Sequence, residues 1–225
     1  MNLQSGSNMH QLINSSAFSR ICLIAILGGF AIFGFAIGVL MSPPTEIIGM
    51  DRLSELSCLQ MAGTPDRAIA VLLGFDEAQL AALQQLLVPG DVIFAWGYGL
   101  VFFGVLGLLT TRLSGRWQRA GALIMWAPLL ASLFDVFEDI GLHSMVTTVA
   151  EGDTGILPAV VLLTTISASL KYLFLAVVAP AYGVAGAVKA FKTDRRLRSI
   201  GLYVFVVLVA YSMMQKPFSE IPACF

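Results

Sequence analysis

Apolar residues run along this chain in five long stretches, too continuous for the alternation of a strand and too wide for the single stripe of a soluble helix. A hydrocarbon core of about 30 Å needs about 20 helical residues to cross it. The stretches cover residues 21–40, 92–110, 120–143, 157–188 and 199–214, the last the shortest. The first is longer than the apolar core of a cleaved signal and lacks a small-x-small site before Ser42, so it reads as a retained helix. The pattern predicts an all-α polytopic bundle of four core transmembrane helices plus a short fifth, forming a single membrane domain over residues 1–225.

Between the first two stretches, residues 41–91 form a loop whose own pattern is helical. Thr64-Pro65-Asp66 is a start signal, with Thr as cap, Pro in the first turn and an acid at the positive end of the dipole; Gly74 is a stop. A second short helix is expected from Asp76 or Glu77 to Val88, with Leu80, Leu83 and Leu87 on one face and Pro89-Gly90 as its break.

Composition agrees with the apolar runs. Of 225 residues, 57% are hydrophobic and 12% charged, too few charges to cover a soluble surface. The net charge of −1 excludes a basic nucleic-acid footprint, and no Walker loop, dinucleotide fingerprint or nucleophile elbow is present. Charge also orients the chain. Arg20 falls in the tail before the first stretch, Arg112, Arg116 and Arg119 between the second and third, and Lys189, Lys192, Arg195, Arg196 and Arg198 between the fourth and fifth. Most acids, among them Glu46, Glu55, Asp66, Asp76, Glu77, Glu151 and Asp153, fall in the other loops. The positive-inside rule then predicts a cytoplasmic N-terminus, an extracytoplasmic 41–91 loop and, if the fifth stretch crosses, an outer C-terminus. On that topology Cys58 and Cys224 share the oxidising side and a Cys58–Cys224 disulfide is allowed.

Small residues four apart, Gly34-x-x-x-Gly38 and Ala179-x-x-x-Gly183-x-x-x-Ala187, allow close helix contact. Packing within one bundle is the simpler reading and a homo-oligomer face the alternative. Pro180 removes the donor for the Ala176 carbonyl and predicts a kink.

The informative residues are the charges inside the apolar runs: Asp135, Glu138 and Asp139 in the third and Lys171 in the fourth. Each costs roughly 2.5–3.5 kcal/mol at a helix centre on insertion scales, so they are expected to face inward and find partners. Asp135, Glu138, Asp139 and His143 share a face extended by Ser132 and Pro128, and Thr164, Ser167 and Lys171 form a stripe. From the rise per residue, Asp135 and Lys171 lie at similar depth and can pair, with Tyr98 beside them; Asp91, Glu138, Asp139 and His143 lie nearer the outer face. Like charges this close in a poor dielectric do not all ionise: a carboxyl stays protonated, a cation binds, or water enters.

Three functions fit such a cluster. It is a proton- or cation-linked transport path, a packing network in a structural or assembly protein, or the carboxylates of a lipid-modifying membrane enzyme, with Asp139 and His143 as candidate metal ligands. No cofactor is expected, a bound cation apart. The expected partners are membrane lipids, a second copy or another membrane protein, and no nucleic acid.

These residues resemble those of small bacterial inner-membrane proteins of unassigned function, built as four-helix bundles with a helical loop after the first helix. The likeness rests on Thr64-Pro65-Asp66-Arg67-Ala68, on Asp91 with Tyr98 beyond it, on Asp135-x-x-Glu138, and on Lys171; Asp139 stands where that family usually has Asn. It covers roughly residues 20–190, implies a multi-pass bacterial inner-membrane protein, and implies no reaction.

Overall fold

The computed structural model describes residues 15–49 and 52–193, with 13 and 201 singly. The fifth stretch, apart from residue 201, and Cys224 lie outside the described residues. Among the described residues the fold is entirely helical, with six helices: α1 (Ser16–Ile48), α2 (Leu53–Gln60), α3 (Pro65–Leu72), α4 (Glu77–Thr111), α5 (Arg116–Ala150) and α6 (Pro158–Ala190). Four of them, α1, α4, α5 and α6, are long and apolar enough to cross a membrane, so the chain is an integral, multi-pass membrane protein.

α1, α4 and α5 run beyond the expected apolar limits, whereas α6 nearly keeps them. Local changes of winding accompany three of the proline positions. The i→i+5 turns at Ala36–Met41, Leu86–Asp91 and Leu173–Val178 lie beside Pro43-Pro44, around Pro89 and just before Pro180. Beside Pro43-Pro44 and Pro180 a wider turn relieves the clash between a proline ring and the carbonyl four residues earlier, and the helix continues; at Pro89 the expected break is present. In α1 the helix continues seven residues to Ile48, and the non-spanning connection shrinks to residues 49–76. Only at Val88 (φ −133°, ψ 113°) does the backbone of α4 leave helical geometry.

That connection forms a cap at one end of the bundle. α2, which the hydrophobic pattern did not reveal, and α3 pack with Leu80, Leu83 and Leu87 of α4 against Leu142, Met145 and Val146 of α5. Thr64 has the extended backbone of a cap, but its side chain makes no capping bond. The true side-chain cap is Asp76, which accepts from Gln79 N–H while Gln79 Oε1 accepts from Asp76 N–H. Arg52 ties the cap together. It donates to both carboxylate oxygens of Glu55 (3.1 and 3.0 Å), to Gln79 Oε1 (2.8 Å) and to the Gly74 carbonyl (2.8 Å), and its guanidinium lies over the Phe75 ring.

Within the bundle α4 is the central helix, flanked by α1 on one side and α5 on the other. Its glycines make this arrangement possible. A β-carbon at Gly97 would lie 2.7 Å from Phe33 N, and one at Gly104 would lie 2.6 Å from Ile26 Cγ1. In return, a β-carbon at Gly29 would lie 2.7 Å from the Gly97 carbonyl. α1 therefore runs antiparallel along Gly90, Gly97, Gly104 and Gly107. The expected Gly34-x-x-x-Gly38 motif is not part of this contact: a β-carbon at either position meets nothing within 4 Å. Its glycines face outward, with Ile37 and Val39 beside them. The small residues Ala179, Gly183 and Ala187 of α6 are buried as expected.

α5 shows its lipid face directly. Leu123, Trp126, Leu130, Leu133, Phe137 and Ile140 are exposed at alternating steps of three and four, and exposed Ser144 follows. This stripe is about 26 Å long, close to a hydrocarbon core. Asp135, Glu138 and Asp139 lie on its other side, in the half nearer the cap.

Candidate functional site

Tyr98 of α4 stands between Gly97 and Gly99, and both neighbours matter to its position. Gly97 admits the backbone of α1, while a β-carbon at Gly99 would strike Ser132 Oγ of α5. Ser132 donates to the Ala95 carbonyl at 2.7 Å and to the Pro128 carbonyl at 3.0 Å, pinning α5 to α4 with no side chain of bulk between them. One turn nearer the cap, the gap is filled by polar groups.

Tyr98 donates its hydroxyl to Asp135 Oδ2 at 2.6 Å, and Lys171 donates its ammonium to Asp135 Oδ1 at 2.7 Å. Lys171 also ion-pairs with Glu138 Oε2 at 2.7 Å. Both carboxylates come from successive turns of one α5 face, so a single lysine on α6 bridges them. Sequence spacing had placed Lys171 opposite Asp135; its second partner depends on how far α6 is rotated, which spacing does not report. Tyr172, next along α6, donates to Gln60 Oε1 at 2.9 Å and so links the end of cap helix α2 to the lysine-bearing turn.

Asp91 ends the wide turn of α4 and completes the group. Carboxylate oxygens of Asp91, Asp135 and Asp139 lie within 4.8 Å of one another. Four carboxylates thus face one ammonium, a formal charge of minus three, one more negative than the count without Asp91. Asp135 and Lys171 are 3% and 7% exposed, and Glu138 and Asp139 are wholly buried; Asp91 alone of the four acids keeps partial exposure. The one partner of Glu138 is the Lys171 ammonium, and neither oxygen of Asp139 accepts a hydrogen bond. His143 is one turn beyond Asp139, but it is not among the groups converging with Asp91 and Asp135, and its Nδ1 is buried without a hydrogen-bond partner.

The other candidate residues fall elsewhere. Thr164 and Ser167 are buried on the α6 face toward α5, and Thr164 donates to the Val160 carbonyl at 2.9 Å. Of the cysteines, Cys22 is a free thiol buried against α4, Cys58 is disulfide-bonded, and Cys224 lies outside the described residues.

The site can therefore hold positive charge. Its donors are all carboxylate oxygens, it lies within the apolar bundle, and its one partly accessible ligand faces the cap. The chain matches no family model, no curated protein and no solved structure.

Proposed function

We propose that this protein carries out proton- or cation-linked transport through the cluster of Asp91, Tyr98, Asp135, Glu138, Asp139 and Lys171. The observation that carries the reading is Asp139, wholly buried with neither oxygen accepting a hydrogen bond, in a group whose formal charge is minus three. A network selected only for packing satisfies its members, because an unpaired buried charge costs several kcal/mol. An unsatisfied carboxylate is what a site needs if its positive counter-charge comes and goes. Asp91, partly exposed at the cap end, supplies the access, and Tyr98 and Lys171 hold Asp135 in place.

The lysine and arginine distribution supports a cap facing outward, with the α4–α5 turn and the end of α6 in the cytoplasm. We place the chain in a bacterial inner membrane on that basis and on the likeness of its motifs. Labelling of single cysteines introduced at Asp153 and Gly115 tests the orientation: an impermeant reagent on intact cells should modify the first only.

The transport reading is tested in vesicles reconstituted with the purified chain, loaded with a pH-sensitive or cation-sensitive dye and subjected to an imposed gradient. Protein-dependent flux should exceed that of empty vesicles and should be abolished by Asp135→Asn and Lys171→Met in protein that remains folded. Equal flux of protons, Na⁺ and Ca²⁺ in protein-containing and empty vesicles would refute it.

A further inference from the structure

We infer that Asp91, Asp135 and Asp139 form a binding site for one hard divalent cation, entered from the cap side past Asp91. The inference deepens the transport reading and names the class of ion its cluster takes.

Three carboxylates from two helices converge on this point. Asp139 projects from α5, wholly buried and with no amide, hydroxyl or ammonium donor on either oxygen, toward carboxylate oxygens of Asp91 on α4 and Asp135 one turn away on α5, all within 4.8 Å of one another. Oxygens across a calcium ion at 2.3–2.6 Å stand at most about 5 Å apart, so a calcium-sized ion fits with little movement. A magnesium-sized ion at 2.0–2.1 Å requires the oxygens to close to about 4 Å or to keep bound water.

The donor set selects hard ions. It offers carboxylate oxygen and no thiolate, and His143 does not converge with it. Charge selects the valence. Lys171 neutralises part of the Asp135 and Glu138 pair, and the remaining formal charge of minus three falls to minus one with a divalent ion and only to minus two with a monovalent one.

The three ligands differ in freedom. Asp135 is fixed by donors on both oxygens, at 2.6 Å from Tyr98 and 2.7 Å from Lys171, and keeps further lone pairs for an ion. Asp139 has no such donors. Asp91 sits on the wide turn beside Pro89, the least regular part of α4. Asp135 is thus the anchored ligand, Asp139 the buried vacant one, and Asp91 the ligand nearest the cap. Glu138 stays with Lys171 and tunes the charge without being required as a ligand.

The experiment uses the purified full-length chain in detergent, stripped of metal, titrated with CaCl₂, MnCl₂ and MgCl₂ by calorimetry or by equilibrium dialysis. One equivalent of Ca²⁺ or Mn²⁺ should bind and raise the melting temperature. Asp139→Asn and Asp91→Asn should each weaken binding at least tenfold while leaving the metal-free protein as stable as wild type or more so, because each removes an uncompensated charge. Glu138→Gln should bind within a few-fold of wild type. Absence of saturable binding by all three salts, or binding that survives both Asp139→Asn and Asp91→Asn, overturns the inference. Its failure is distinguishable from that of the transport reading: protein-dependent proton flux in chelator-treated vesicles keeps transport and removes the divalent site. Stoichiometric binding without flux does the reverse.

Discussion

Replacing Gly97 by alanine should destabilise the bundle relative to the same replacement at Gly34, and the difference measures how closely α1 and α4 must approach. At Gly97 the new methyl would lie 2.7 Å from Phe33 N, 2.9 Å from Phe33 Cα and 3.0 Å from Phe33 Cβ. The first two are backbone atoms, so no rotamer change relieves the clash. Ordinary contact begins at 3.4 Å, so α1 must retreat by about 0.7 Å or more at this point. A gap of 0.5–1 Å forfeits a quarter to a half of each contact's well of about 0.1–0.2 kcal/mol. Over the few tens of atom pairs along the seam, that loss is about 1–2 kcal/mol, in line with overpacking costs of about 1–3 kcal/mol.

Alanine is also a better helix former than glycine by up to about 1 kcal/mol. That gain applies at both sites and cancels in the comparison, whereas the methyl at Gly34 meets nothing within 4 Å. The assay is reversible unfolding in mixed micelles, followed by circular dichroism. Gly34→Ala should match or exceed wild type, and Gly97→Ala should fall below Gly34→Ala by about 1–3 kcal/mol. Equal stability of the two variants would refute the packing argument, and a large loss at Gly34 with dissociation of an oligomer would show that its face is used between copies.

Lys171→Met should cost about 3–5 kcal/mol, the range for breaking a buried pair from one side, because Asp135 and Glu138 both lose their cation. Adding Glu138→Gln should recover part of that loss in the same unfolding assay; a double variant no more stable than the single one would mean that Glu138 does not depend on Lys171. A Cys58–Cys224 bond, allowed by the expected topology, predicts one alkylated cysteine in the denatured, unreduced chain and three after reduction, read by mass spectrometry. Three without reductant would remove it.

The parts of the fold that follow from hydropathy were legible in the sequence: four spanning helices, the inward face of Asp135 and Glu138, and the buried leucines of the first turns of α4. Helix ends were legible in part: the break expected at Pro89 is present and α6 runs through Pro180 as expected, but α1 continues past Pro43-Pro44, because what packs around a proline decides whether it ends an apolar helix or is absorbed by a wider turn. The glycines misled in a similar way. Gly34 and Gly38 have the spacing of a packing motif and face outward, whereas Gly97 and Gly104, seven apart, receive α1. Spacing along one helix specifies a face, but the neighbour that fills it is chosen by the rest of the bundle. For the same reason Arg52 and α2 left no signal: Arg52 is defined by Gln79, Gly74 and Phe75, all distant in sequence.

The same glycines connect packing to the charge cluster. Tyr98 reaches Asp135 because the residue before it lets α1 in and the residue after it lets α5 in, so α4 contributes backbone where its neighbours need space and one phenol where they need a donor. Close contact on both sides expels water from the helix seams at the Tyr98 level and leaves Asp91, half-buried near the cap, as the accessible acid of the four. A loosely packed bundle would let water solvate Glu138 and Asp139, and their negative charge would then require no ion. The tight glycine seams are therefore what gives the buried carboxylates their demand for a proton or a cation. A variant that opens the α4–α5 seam, such as Gly99→Ala, is expected to weaken cation binding even though the substituted residue offers no ligand.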